Sequence, residues 1–270
     1  MNEQIRKKLF EVADKKYGEF SSYLIPGCDN LIGVRLPYLR KMAQEAVKEQ
    51  DNWRECMSGE DIYFEEKMLR GMIIGYGCFK DKDTDAAAYM LEGFVPLIDN
   101  WSVCDSFCLS FKSCELDREK FLDIIEKYTA SEKEFEARTG LILLLSHYLR
   151  VDKNGGKIAR KRVIEPDDLE GEKLLGMYTE KIFELLSKEY SQGYYASMAA
   201  AWLMAESFAV YPAASWSFLN GGFVKTDAGT YNRALRKICE SKNPSPEVKQ
   251  RVKLLKRRQD ARQSEAPGTR

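Results

Sequence analysis

Apolar residues recur along most of this chain with a period near 3.6, and the alternating pattern typical of strands is almost absent. The pattern therefore predicts an all-α fold. The predicted helices span about residues 2–18, 37–48, 61–79, 84–97, 100–112, 118–128, 133–149, 173–190, 193–209, 213–220, 228–241 and 246–258.

Several of these helices carry a start signal. Asp61 and Asp83 each precede a segment with helical apolar spacing, and Ser131 stands three residues before Glu134 in capping-box spacing. The Pro-Ser-Pro stretch at 244–246 opens the last helix.

The helices follow one another with a regular rhythm. Links are short, and consecutive helix pairs recur at about 35 to 45 residues, the range of HEAT and armadillo repeats. We therefore expect residues 1–258 to form one domain, a right-handed solenoid of HEAT-like helical repeats with a concave binding face. A compact helical bundle is the alternative. We interpret residues 151–172, with Gly-Gly, a basic and then an acidic cluster, as an exposed loop, and residues 259–270 as a disordered tail.

Composition narrows the class of protein. The 270 residues are 44% hydrophobic and 31% charged with eight prolines, as in folded globular proteins. The longest apolar stretches fall short of the roughly 20 residues that cross a bilayer, so no membrane is expected as a partner. The N-terminal residues show no apolar export segment, and we predict a cytoplasmic location.

The cysteines and the single histidine argue against a metal or disulfide framework. Seven cysteines are scattered without a C-x-x-C pair, and only His147 could add an imidazole ligand. We expect His147 to be a packed or edge residue of its apolar helix, and most cysteines to be buried in a reducing compartment. No G-x-G-x-x-G or P-loop motif occurs, and GMIIGYG is better explained as a closely packed helix. We predict neither a metal nor a cofactor.

The net charge of zero hides an asymmetry between the two halves. Residues 1–135 hold 19 Lys and Arg against 26 Asp and Glu, a net −7, and residues 136–270 hold 23 against 16, a net +7. A basic half is compatible with a polyanionic partner, but charge alone is weak evidence for nucleic acid and favours an ordinary solvated surface.

Three segments hold residues that could carry chemistry. In DNWSVCDSF, Trp101 and Asp105 stand four apart and therefore share one helix face. The alternative is an ordinary amphipathic helix with Trp101 half-buried and Asp105 at its solvent-exposed edge. Cys104 and Cys108 are expected to face the core. In GYYASMAAAWLMAES, Trp202 is the one bulky projection in a run of small residues.

The third segment is FEARTGLILLL. There, Arg138 lies near the start of a strongly apolar helix, where backbone N–H groups favour an anion such as phosphate. A weak ion pair with Glu134 is the alternative.

These segments, with GVRLPYLRKMA at residues 33–43 and TYNRALRKICES near the end, resemble the AlkD-like DNA alkylation repair proteins in order and spacing from about residue 20 to residue 257. The resemblance implies a helical-repeat solenoid that grips duplex DNA in its concave face. It further implies a glycosylase that removes cationic N3- and N7-alkylated purines, acts as a monomer and associates with the nucleoid when bound to DNA.

The resemblance also assigns roles to residues. Asp105 matches the catalytic aspartate, Trp101 and Trp202 match two tryptophans that flank the lesion's backbone, and Arg138 matches a DNA-contacting arginine. Further DNA contacts are expected from Tyr23, Arg35, Arg40, Lys41, Arg160, Lys161 and Arg162.

The sequence departs from the family pattern around Trp202 and Trp101. Relatives often carry an arginine three positions after the second tryptophan, where this chain has Ala205 followed by Glu206, and Asn100 replaces a further tryptophan of some relatives. The basic cluster at 157–162 could supply the missing phosphate contact. Two other functions therefore stay open: a non-catalytic module that binds DNA or RNA structures, and a protein-interaction scaffold.

Overall fold

The computed structural model describes residues 1–25, 27–49, 52–222 and 224–257. Over these residues the chain is helical, with two isolated β-bridges as the only extended pairing. The α-helices are α1 (Glu3–Glu11), α2 (Lys15–Leu24), α3 (Leu36–Glu49), α4 (Phe64–Asp81), α5 (Thr84–Phe94), α6 (Trp101–Ser110), α7 (Arg118–Thr129), α8 (Glu134–Leu143), α9 (Pro166–Glu170), α10 (Thr179–Leu186), α11 (Tyr194–Val210), α12 (Pro212–Asn220), α13 (Ala228–Glu240) and α14 (Pro246–Leu254).

The predicted fold class is confirmed: the chain is all-α and built from packed helical repeats. It divides into two compact units, Met1–Ile125 and Glu126–Arg270. The single domain over 1–258 and the handedness of the solenoid stay predictions, and the tail predicted at 259–270 lies outside the described residues.

In the first unit, α4 packs against α3, α5 and α6. The glycines of GMIIGYG permit this packing, as the sequence indicated. A Cβ on Gly71 would lie 3.2 Å from the Cβ of Phe107, and a Cβ on Gly75 would lie 2.7 Å from the main-chain carbonyl carbon of Ser110. Gly71 and Gly75 therefore fix how closely α6 approaches α4.

The prediction of one helix over residues 2–18 is wrong, because the chain forms α1 and α2 with a break at 12–14. The Asp14 side chain accepts a hydrogen bond from the amide of Tyr17 and caps α2, while the Asp14 amide donates to the Gly33 carbonyl at 3.0 Å. Gly33 has a φ of +92° and lies against this turn, where a side chain would clash. The buried Glu65 carboxylate accepts from the Gly33 amide at 2.7 Å and holds the segment in place.

Asp61 does not start α4, whereas Asp83 caps α5 as predicted. The helix begins at Phe64, and the Glu66 carboxylate accepts hydrogen bonds from the amides of Ile62 and Tyr63 at 2.7 and 3.0 Å. Asp61 instead pairs with Arg70. Because its carboxylate binds Arg70, Asp61 does not cap α4.

In the second unit, α11 packs against α8, α12 and α13, α13 packs against α14, and α9 packs against α12. The capping box predicted at Ser131 does not form. The Ser131 hydroxyl donates to the Glu136 carboxylate at 2.7 Å, and Glu134 accepts from the amide of Tyr195 at the start of α11. Glu134 therefore binds a residue of another helix and not the backbone of Ser131.

Residues 151–172 are only partly the exposed loop that the sequence predicted. Arg160, Lys161 and Arg162 are exposed, but the segment contains α9 and buries Ile164 and Leu169. Ile164 forms an isolated parallel bridge with Pro244, next to Ser245, which caps α14 as the Pro-Ser-Pro stretch suggested. The buried apolar side chains anchor the segment to the second unit.

Candidate nucleic-acid interface

Helix α6 presents Trp101 and Asp105 on a partly exposed edge. The Asn100 side chain caps the helix by accepting a hydrogen bond from the amide of Val103 at 3.0 Å. On the opposite face Phe107 is fully buried, and its ring centroid lies 4.8 Å from that of Phe94. Because the buried face fixes the rotation of the helix, Trp101 and Asp105 remain half-exposed, one turn apart.

The cysteines on either side of Asp105 face the core, as predicted. Cys104 and Cys108 are fully buried, and burial raises the pKa of the Cys108 thiol well above its ordinary value. A thiol that stays protonated is a poor nucleophile. Asp105 is the ionisable side chain of α6 that is half-exposed, whereas both thiols are buried.

Trp101 is tied to the end of α2. Its indole Nε1 donates a hydrogen bond to the main-chain carbonyl of Leu24 at 3.1 Å. Tyr23 directly precedes Leu24 and is 84% exposed. The first unit thus brings together three of the residues that the sequence selected, Tyr23, Trp101 and Asp105.

The predicted basic contacts of the first unit lie on or before α3 and differ in their partners. Arg35 pairs with Asp14 at 2.8 Å, and this hydrogen bond lowers the pKa of the Asp14 carboxyl below its ordinary value. Lys41 lies 3.6 Å from Glu45. Arg40 is half-buried and has no ion-pair partner within the described part of the chain. Arg40 is therefore the least neutralised of the three cations.

In the second unit, α11 buries its alanines and leaves one stripe open. Ala196, Ala199, Ala200 and Ala201 are fully buried, as expected of small residues that let helices approach closely. The stripe that is not buried consists of Tyr194, Tyr195, Met198, Trp202, Ala205 and Glu206. Trp202 is thus the large aromatic ring in the middle of this stripe.

Glu206 links Trp202 to the basic segment that precedes α9. The indole Nε1 of Trp202 donates to Glu206 Oε1 at 3.3 Å, and the guanidinium of Arg160 lies 2.7 Å from Glu206 Oε2. Arg160 therefore binds Glu206, the residue next to Ala205, where the resemblance to the AlkD-like proteins predicts an arginine. The sequence suggested the basic cluster for this place, but the Glu206 bridge was not predicted.

The two neighbours of Arg160 have different surroundings. Lys161 pairs with Asp168 and lowers the pKa of that carboxyl. Arg162 is exposed and has no ion pair with a described residue. Of these three basic residues, Arg160 is the one that forms an ion pair with the unburied stripe of α11 that contains Trp202 and Glu206.

Arg138 is buried rather than displayed. Its side chain is 6% exposed, and Nη1 donates to the main-chain carbonyl of Tyr195 at 2.8 Å. Glu134 binds the amide of the same residue at 2.5 Å. These two bonds attach α8 to the first turn of α11, so Arg138 acts at least in part as a support for the stripe that carries Trp202.

The described residues contain no cluster of three or more His, Cys, Asp or Glu side chains able to hold a metal ion. None of the helices in the described ranges is long and apolar enough to cross a membrane. His147, the single histidine, is buried.

Comparison with known proteins identifies the family. Residues 5–169, more than half of the chain, match the model of the DNA alkylation repair enzyme family, and the chain belongs to this family. The matched part includes Trp101, Asp105, Arg138 and Arg160, whereas Trp202 lies beyond it. No curated protein matches the chain, and no solved structure does. Family membership supports a role in DNA repair, with DNA as the partner.

Proposed function

We propose that this protein is a DNA glycosylase that excises cationic N3- and N7-alkylated purines, such as 3-methyladenine and 7-methylguanine, from duplex DNA. The observation that carries the proposal is the half-exposed pair of Trp101 and Asp105, one turn apart at the start of α6, in a member of the DNA alkylation repair family.

The chemistry needs a carboxylate and no general acid. A purine alkylated at N3 or N7 is positively charged, so it leaves with the electrons of the C1′–N9 bond without prior protonation. The developing oxocarbenium ion at C1′ needs negative charge nearby, and water then adds to C1′. Asp105 would stabilise that cation and orient the water, and the adjacent indole of Trp101 would shield the site and attract cationic groups.

Other side chains would bind the DNA. In the first unit, Tyr23, Arg35, Arg40 and Lys41 are the proposed contacts. In the second unit, Trp202 would contact the DNA backbone, with Arg160, Lys161 and Arg162 supplying positive charge. Arg138 would serve the same surface by holding the first turn of α11, where its guanidinium binds the Tyr195 carbonyl.

The test is release of 7-methylguanine and 3-methyladenine from methylated duplex DNA by the wild type and by Asp105→Asn. We expect the variant to release base at least about 100-fold more slowly, as when preorganised electrostatic stabilisation is removed. Asp123→Asn is the matched control, because Asp123 is an exposed carboxylate on α7 of the same unit.

Two results would contradict the proposal. Equal release by the wild type and Asp105→Asn would remove Asp105 from the reaction. A wild type that binds methylated DNA without releasing base would instead favour the non-catalytic module that binds nucleic-acid structures.

A further inference from the structure

A basic groove continues from the Trp202 stripe along α11 and α13. Met198 and Tyr194 lie one and two turns before Trp202 on the same face of α11. Both line a cavity of about 380 Å³ whose other wall is α13. The groove and the tryptophan therefore share one continuous surface of the second unit.

The wall formed by α13 is cationic. Arg233, Arg236 and Lys237 line the cavity at spacings of three and four residues, which places them on one face of the helix. Glu240 is the one acidic residue in this lining. None of the three cations has an ion-pair partner among the residues that the structure describes, in contrast to Arg35, Arg160 and Lys161.

The groove is preorganised by contacts at its half-buried end. The Arg233 guanidinium lies 5.4 Å from the ring centroid of the exposed Tyr194 and hydrogen-bonds the Ser197 hydroxyl. Ser197 in turn shares a 2.6 Å hydrogen bond with Thr230 of α13. These contacts fix the aromatic ring and one guanidinium, and leave Arg236 exposed and Lys237 half-exposed.

Positive charge extends past Arg236 to α14. Arg236 and Asn232 also line a second cavity of about 230 Å³, with Lys253 and Lys256 on its far side. Arg236 therefore stands between two adjoining cavities. A ligand that spans both cavities would be extended, and the cations that line them favour one with several negative charges.

We propose that this α11–α13 groove binds consecutive phosphates of one DNA strand, to one side of the nucleotide held at Trp202. The inference rests on the proposed function, because it takes Trp202 to be in contact with DNA. Unpaired cations beside an exposed aromatic ring are suited to a sugar-phosphate backbone: the cations bind the phosphates and the ring packs on the sugars. The groove lies outside residues 5–169, which match the family model.

The experiment measures binding of a short undamaged duplex by fluorescence anisotropy from about 50 to about 200 mM salt. The test variant is Arg236→Gln/Lys237→Gln. We expect weaker binding and a slope of log K against log salt that is smaller by about 2, since each phosphate contact contributes roughly 0.9. Arg236→Lys/Lys237→Arg should retain the wild-type slope because the charges remain.

Lys188→Gln/Lys225→Gln is the matched control, because it removes two exposed charges of the same unit from outside the groove. An unchanged slope in the test variant, or an equal fall in the control, would overturn the proposal. Base release separates the two proposals: a reduced slope in a protein that releases no base keeps the groove and rejects the glycosylase. Normal release with an unchanged slope rejects the groove alone.

Discussion

The indole N–H of Trp101 donates a 3.1 Å hydrogen bond to the carbonyl of Leu24, which joins the first residue of α6 to the last residue of α2. These residues are 77 positions apart in the chain. The bond holds the indole at the end of α2, next to the residue that follows the exposed Tyr23, while Asp105 stands one turn further along α6. The orientation of Trp101 thus depends on a contact that local helix geometry does not supply.

Trp101→Phe should preserve an aromatic ring and remove this hydrogen bond. We expect a loss in free energy of unfolding of only about 0.5 to 1 kcal/mol, because the bond is partly solvated. Base release should fall roughly tenfold, since a ring that is not held in place positions the substrate less well. Urea unfolding and single-turnover base release measure the two effects. Trp216→Phe, on α12, is the control, and equal release by Trp101→Phe and wild type would contradict the role.

Glu206→Gln should strengthen DNA binding. The carboxylate neutralises Arg160 and adds negative charge beside Trp202, whereas glutamine keeps an oxygen that can accept the indole N–H. We expect several-fold tighter binding and a salt slope steeper by about 1, as Arg160 becomes free to bind a phosphate.

The control for Glu206→Gln is Glu184→Gln, which removes a carboxylate from another ion pair of the same unit, with Lys181. If both variants bind DNA equally tightly, the gain reflects net charge alone. Adding Arg160→Gln to Glu206→Gln should return the salt slope to its original value.

Arg138→Met should destabilise the fold more than the loss of an ordinary surface charge. It leaves the Tyr195 carbonyl without its charged donor, and such hydrogen bonds contribute about 1.5 to 3 kcal/mol. Urea unfolding measures the loss. Arg162→Met, at an exposed position, should change stability by no more than about 0.5 kcal/mol. Unfolding of Arg138→Met at the wild-type urea concentration would mean that the bond to Tyr195 does not hold α8 against α11.

Gly75→Ala should separate α6 from α4. The new methyl group would lie 2.7 Å from the Ser110 main-chain carbonyl carbon, so we expect a loss of about 1 to 3 kcal/mol in unfolding free energy. Base release should fall as well, since α6 carries Asp105. The control is Gly93→Ala in α5, where an added Cβ would meet no atom within 4 Å apart from its chain neighbours and its own helix backbone, so alanine should stabilise the helix by about 0.5 to 1 kcal/mol. Thermal and urea unfolding compare the two variants, and similar behaviour would contradict the close packing.

The sequence by itself determined the features that follow from local backbone geometry. A period of 3.6 residues predicts most of the helices, although not the break between α1 and α2 or the short α9. The same period places Trp101 and Asp105 on one face because four residues make about one turn. The alanine run predicted a closely packed α11 with Trp202 projecting, and the order of the motifs indicated the family that the match over residues 5–169 confirms.

Only the tertiary structure decided which partner each polar side chain takes. Glu134 could have capped its own helix, yet it binds the amide of Tyr195, 61 residues away. Arg138 is buried by the same helix contact, and the break between α1 and α2 depends on Gly33.

The groove on α13 illustrates the same limit. TYNRALRKICES shows basic residues at helical spacing, which was a readable signal, but a cationic helix face becomes a groove only when a second helix forms the other wall. Helix periodicity is set by bonds within four residues. The pairing of charges and the shape of a groove depend on packing between segments that lie tens of residues apart, and no local pattern encodes them.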